Sequence, residues 1–149
     1  MTDNKEISLL IERAARLHGH LGPFLVIGVR MGDIAKRHLG CDDESECRLQ
    51  ASIKTPFFTP FSCVIDGIQA STRCTIGNRK LEIQNSANKI TARFELQSPH
   101  KAITISVKPK VVDNLIEQMS KGTNIEQLAI KITHIPEEQL FVLEEKYVC

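Results

Sequence analysis

Two histidines bracketing a glycine, His18-Gly19-His20, are the sharpest chemical feature of the sequence. They fall where a helix should stop, so both imidazoles can turn toward one point, and imidazole is a common ligand of transition metals. The spacing alone leaves two readings open: a metal or catalytic pair, or capping and core histidines hydrogen-bonded to backbone. A second concentration of chemistry lies between Ser62 and Lys80. Cys63, in the first turn of an expected helix, would feel the positive end of its dipole and free backbone N–H groups, which lower a thiol pKa and favour the thiolate. Cys63, Gly67, Ala70 and Cys74 share one face of that helix. A continuous helix, however, holds Cys63 and Cys74 about 16 Å apart, too far for one tetrahedral ion. The two thiols meet only if the helix stops near Ser71 and Thr72 to Thr75 folds back, or if a second protomer brings one of them in. Asp66 and Gln69, one turn apart, either orient histidines or a substrate or simply face solvent. Gly77-Asn78-Arg79-Lys80 is either a solvated turn or an anion site to which Arg73 and Lys80 contribute.

The remaining composition limits what this chemistry can serve. The chain has 149 residues, 42% hydrophobic and 25% charged, which is one ordinary globular domain over residues 1–149. A chain of this length buries roughly 70% of its unfolded surface, so it can hold a core without disulfides or a structural metal. Nineteen Lys and Arg against 18 Asp and Glu give a net charge of +1, which removes the electrostatic case for a nucleic-acid or membrane-surface binder. Leu21 to Val29, the longest uncharged apolar stretch, is too short and too interrupted by Gly22, Pro23 and Gly28 to span a bilayer. The N-terminus has no hydrophobic signal core, so a cytoplasmic location is expected. Five cysteines, Cys41, Cys47, Cys63, Cys74 and Cys149, form no CxxC pair. A disulfide framework is not expected, most cysteines are expected as free thiols, and Cys41 and Cys47 beside acidic neighbours should be inert. No dinucleotide fingerprint or phosphate loop occurs.

The elements that must position these residues are legible from punctuation and periodicity. Asp3 and Glu6 form a capping box, and Ile7, Leu10, Ile11, Ala14 and Leu17 follow at helical spacing. Gly19 ends this helix and Pro23 starts the next, which Gly40 stops. Gly28 and Gly32, four apart in the second helix, invite the close approach of another backbone. Arg48 to Thr55 alternates as a strand, and Thr59-Pro60 starts a third helix running through about Ser71. Leu81 to Asn85, Lys89 to Leu96 and Ala102 to Val107 are further strands. Val111 to Ser120, Asn124 to Ile132 and Pro136 to Glu145 read as short amphipathic helices. The expected fold is α+β: N-terminal helices, a central mainly antiparallel sheet and short C-terminal helices.

In order and separation, His18-Gly19-His20-Leu21-Gly22-Pro23 with Gly28 and Arg30, then Cys63-Val64-Ile65-Asp66-Gly67-Ile68-Gln69, then Cys74-Thr75-Ile76-Gly77, resemble the FmdE family of formylmethanofuran dehydrogenase components. The resemblance covers roughly the first two thirds of the chain. It implies an α+β domain that tends to form homodimers, with zinc or another divalent transition metal near His18, His20, Cys63 and Cys74. It further implies that Asp66, Gln69 and Thr75 surround the ion. Many members have a cysteine where this chain has Gly22, so a thiolate available to them is absent here. Longer members also carry a C-terminal zinc finger, and this chain is expected to be a core-only member.

Three functions follow as expectations. The first is a metal-binding enzyme or accessory subunit of one-carbon metabolism and methanogenesis. In it Asp66 and Cys63 are catalytic candidates, Gln69, Thr75 and Lys80 contact a small-molecule or pterin-like substrate, and the ion acts as a Lewis acid. The second is a non-catalytic dimeric binding or assembly module that uses Gly28 and Gly32. The third is a redox or transfer protein with Cys63 as nucleophile.

Overall fold

The computed structural model describes residues 4–41, 48–97 and 100–147, with only the backbone of Tyr147. Helices α1 (Asn4–His18) and α2 (Pro23–Leu39) lead into β1 (Leu49–Thr55) and α3 (Cys63–Thr72). Strands β2 (Leu81–Asn85), β3 (Thr91–Gln97) and β4 (His100–Val107) follow, then α4 (Pro109–Ser120), α5 (Ile125–His134), α6 (Glu137–Leu140) and β5 (Phe141–Tyr147). The five strands form one sheet in the order β2-β1-β3-β4-β5. β1 and β2 are parallel with α3 as their crossover, and the other three pairings are antiparallel. The fold is α+β.

Strand alternation decides which face of the sheet is covered. Along β1, buried and exposed residues alternate without exception, as a half-buried antiparallel surface requires. Register then aligns Ala51 with Phe94 and Ile103, and Ile53 with Ala92 and Ile105, into rows of one apolar face. Helix α2 lies on that face, and Phe24, Val26, Ile27, Met31 and Ile34 are almost wholly buried. Helices α1 and α3 pack on the far side of α2, where Leu10, Ala14, Leu25, Val29 and Ala70 make a second apolar cluster. Arg30, on α2, donates to the carbonyls of Ile132 and Ile135 and so caps the C-terminus of α5. Among the described residues no helix is long and apolar enough to cross a membrane.

Four expectations change. Pro136 to Glu145 is one turn of helix followed by β5, because Phe141 to Tyr147 pairs with β4 and satisfies more backbone groups than an isolated final helix would. The third helix begins at Cys63 rather than Pro60, since turns closed by Ser62 N to Phe58 O and Cys63 N to Pro60 O occupy the intervening residues. Cys41 is disulfide-bonded rather than an inert free thiol; residues 42–47, Cys47 included, lie outside the described residues, as do the Asp3 cap and Cys149. Gly28 and Gly32 do receive a close neighbour, but it is α3 of the same chain. A Cβ on Gly28 would overlap the Val64 carbonyl oxygen, and one on Gly32 would overlap Ser71 Oγ.

Gly67 reciprocates from α3, where an added Cβ would overlap the Leu25 carbonyl oxygen and lie 2.7 Å from Val29 N. Backbone cannot yield as a side-chain tip can. Gly67→Ala should therefore cost about 3 kcal/mol or more, read as a fall in the urea midpoint. Gly77→Ala, whose Cβ would meet only Thr75 Oγ1 at 3.9 Å, should leave that midpoint within about 0.5 kcal/mol of wild type.

Candidate functional site

The candidate site is built where the α1–α2 turn meets the first half of α3. Gly19 adopts a φ of +99° and its N–H donates to Ala15 O at 2.8 Å, which ends α1 at His18. The chain then runs extended through Gly22 into Pro23, the first residue of α2. This short turn sets the His18 and His20 rings 4.6 Å apart, tilted by 41°. Helix α3 supplies the partner: His18 Nδ1 lies 2.7 Å from Asp66 Oδ2, and Gln69 Nε2 donates to Asp66 Oδ1 at 3.2 Å.

A carboxylate only accepts, so His18 Nδ1 carries the proton and donates. The opposite nitrogen, Nε2, is buried and has no hydrogen-bond partner. A buried polar atom without a partner is costly. An imidazole held by a carboxylate at one nitrogen and presenting a lone pair at the other is the usual arrangement of a metal-ligating histidine. His20 is exposed beside it. The third wall belongs to α5, whose Ile125 Cγ2 lies 3.3 Å from the position a Cβ on Gly22 would take, with His20 Nε2 at 3.8 Å. Among the described residues no three His, Cys, Asp or Glu side chains are already gathered into a metal-binding group. The fit to an ion thus rests on His18 Nε2 with the neighbouring His20.

The other expected residues separate into two groups. Cys63 opens α3 one turn before Asp66 and lies within electrostatic reach of that carboxylate. Its thiol was expected to be acidified, but burial and then the Asp66 charge push its pKa up. Burial outweighs the lowering contribution of the Cys63 backbone N–H, and the following N–H groups are already used, Val64 N by Phe61 O and Ile65 N by Ser62 O. Cys74 lies beyond the other end of α3, after Arg73 turns the chain with a φ of +63°. It does not fold back to the histidines: its Sγ donates to Leu49 O at 3.3 Å under β1, and burial pushes its pKa up as well. Thr75 and Lys80 are tied into a turn centred on Asn78, which accepts from Thr75 N and Lys80 N and donates to Arg73 O. The structure therefore brings together His18, His20, Asp66 and Gln69, with Cys63 one turn from Asp66 on α3, and places Cys74, Thr75, Lys80 and Arg73 at the opposite end of that helix.

Two contributors gave no local signal. Ile125 is distant in sequence, and only the packing of α5 against α2 brings it to the turn. Phe61, two residues before Cys63, stacks edge-on against Phe24 at the start of α2 with centroids 5.6 Å apart; its chemistry in the sequence is only that of another apolar residue.

A raised thiol pKa predicts slow chemistry at Cys63. Iodoacetamide at pH 7 should alkylate it more slowly than N-acetylcysteine. In Asp66→Asn the removed negative charge should increase the thiolate fraction and speed alkylation by roughly threefold to tenfold, read by mass spectrometry of the Cys63 peptide. A wild-type rate above that of the free thiol would contradict this account.

Comparison with known proteins agrees with the fold. A solved structure from Syntrophus aciditrophicus, that of a tungsten formylmethanofuran dehydrogenase FmdE-like protein, superposes with a TM-score of 0.66 at 17% identity, covering 96% of this chain and 73% of that one. A probable S-adenosyl-L-methionine-binding protein from Archaeoglobus fulgidus is 36% identical over 76 residues, 51% of this chain. The chain spans only 20% of that relative's length. The sequence model of the family described as "FmdE, Molybdenum formylmethanofuran dehydrogenase operon" matches residues 17–142, from just before the HGH turn to the start of β5. With most of its length matched by that model, the chain belongs to the FmdE family.

Proposed function

We propose that this FmdE-family chain binds zinc or another divalent transition metal at the His18–His20–Asp66 centre and acts as an enzyme or accessory subunit linked to formylmethanofuran dehydrogenase and one-carbon metabolism. The observation that carries this reading is His18 Nε2, buried and unpartnered while Nδ1 is held by Asp66. His18 would hold the ion, with His20 and Cys63 completing the protein's share. A bound ion of this kind supplies Lewis acidity toward water or a substrate oxygen. Asp66 fixes the His18 tautomer and ring plane, and Gln69 fixes Asp66 in turn. In this reading the active form is a cytoplasmic homodimer, and the substrate is a small molecule, pterin-like in size, that reaches the exposed edge of His20.

A second reading is favoured by the Archaeoglobus relative, whose name implies binding of S-adenosyl-L-methionine rather than metal chemistry. Calorimetric titration of the metal-free protein with S-adenosyl-L-methionine separates the two, because this reading requires saturable binding that survives His18→Ala. The redox reading loses support from the raised Cys63 pKa.

Elemental analysis of untagged protein tests the metal directly. Wild type, isolated or reconstituted with zinc, should hold about one ion per chain, and His18→Ala and His20→Ala should lose it. Cys63→Ser should weaken binding, Asp66→Ala should weaken it by about 10- to 100-fold, and Cys74→Ser should leave it unchanged. Gly22→Cys should tighten it by about tenfold or more, since its side chain would start 3.8 Å from His20 Nε2 once Ile125 gives by a few tenths of an ångström. Wild type that takes up no zinc, or His18→Ala that binds as wild type does, would overturn the proposal.

A further inference from the structure

Two adjoining cavities lie away from the histidines, between the β2–β3 turn, the loop after β1 and the first turns of α4. The larger encloses about 580 Å³, and the apolar side chains of Ile90, Val107 and Val112 line it together with Lys54 and Lys89. The smaller, about 350 Å³, is lined by Phe58, Phe61, Ile116 and Glu117. Asn88, Val112 and Asp113 belong to both, so the two adjoin. Volumes of this size suit a small organic ligand rather than a single ion.

Charge is distributed unevenly along this space. Lys54 and Lys89 line only the larger chamber, and among the described residues neither ammonium is in an ion pair. Asp113 stands at the junction and Glu117 in the smaller chamber. An anionic group is therefore favoured at the lysine end, and a second anion is disfavoured at the other. The smaller chamber offers an aromatic surface: Phe58 is 60% exposed, yet its ring is held edge-on against Phe61 with centroids 5.1 Å apart. A large apolar side chain held in place while open to solvent is the kind of wall a planar ligand covers.

We infer that this space is a binding site for a small organic monoanion, a ring system bearing one carboxylate. The acid group sits between Lys54 and Lys89, and the ring lies along Val112 toward Phe58. The site includes none of His18, His20, Cys63, Asp66 and Gln69, so it stands whether or not that centre holds metal. Phe61 nevertheless touches both regions, through Phe58 on one side and Phe24 on the other.

The test is an NMR titration of the 15N-labelled, metal-free full chain with 2-naphthoate, 2-naphthylmethanol and acetate. Naphthoate should shift the amides of Ile90, Thr91, Val107 and Val112 saturably. The neutral alcohol should bind the same amides about tenfold more weakly, and acetate should produce no saturable shift. Lys54→Ala with Lys89→Ala, both exposed positions, should bring naphthoate down to the affinity of the alcohol. Phe58→Ala should weaken both ring compounds alike. The inference is overturned if naphthoate leaves those amides unshifted, or if the alcohol or the double-lysine variant matches naphthoate on wild type.

Discussion

Gly28 of α2 and Gly67 of α3 face each other so closely that neither position has room for a methyl group, because the neighbouring atoms are peptide backbone of the opposite helix. At such an approach, dispersion contacts run between the main chains themselves and leave little freedom in angle or register. Helix α3 is also the parallel crossover from β1 to β2, so this one contact ties the helical layer to the sheet. It also presents Asp66, one residue before Gly67, toward the end of α1. The 2.7 Å hydrogen bond between His18 and Asp66 is a consequence of where two helices are forced to lie.

The chemistry of the centre follows from how its hydrogen-bonding capacity is divided. Asp66 gives one oxygen to His18 and the other to Gln69, so the carboxylate is held from two sides. His18 thereby has one nitrogen satisfied and one buried without a partner, with the side chain 14% exposed and Asp66 35% exposed. Cys63, in contrast, starts a helix whose leading N–H groups are already engaged by the preceding turns, and burial beside a carboxylate favours the neutral thiol. The same helix end can acidify a cysteine or leave it inert, depending on whether those donors are free.

Much of this architecture could be read from residue order. Gly19, Pro23 and Gly40 mark helix boundaries because each has a backbone preference that acts locally, and β1, β3 and β4 announce themselves by alternation. The pairing of His18 with Asp66 was legible only as an option, since Asp66 on a solvent face would give the same local pattern. What could not be read depends on partners remote in sequence. Phe141-Val142-Leu143 after a helical start looks like more helix until β4 offers a free edge. Cys74 looks like a ligand until Leu49 O claims its thiol. Gly28 and Gly32 indicate a close approach but not that α3 supplies it.

Gly22, itself buried, differs from Gly28, Gly32 and Gly67 in a way that bears on how such a molecule can change over time. At Gly28, Gly32 and Gly67 an added Cβ would run into the facing helix, whereas the atoms nearest a Cβ at position 22 are the tip of Ile125 and the edge of His20. The chain keeps its immovable positions inside the helical layer and its replaceable one on the rim of the histidine centre. Variation can therefore revise the inventory of donor atoms there one residue at a time while the fold is inherited intact, so relatives sharing this architecture need not share a reaction.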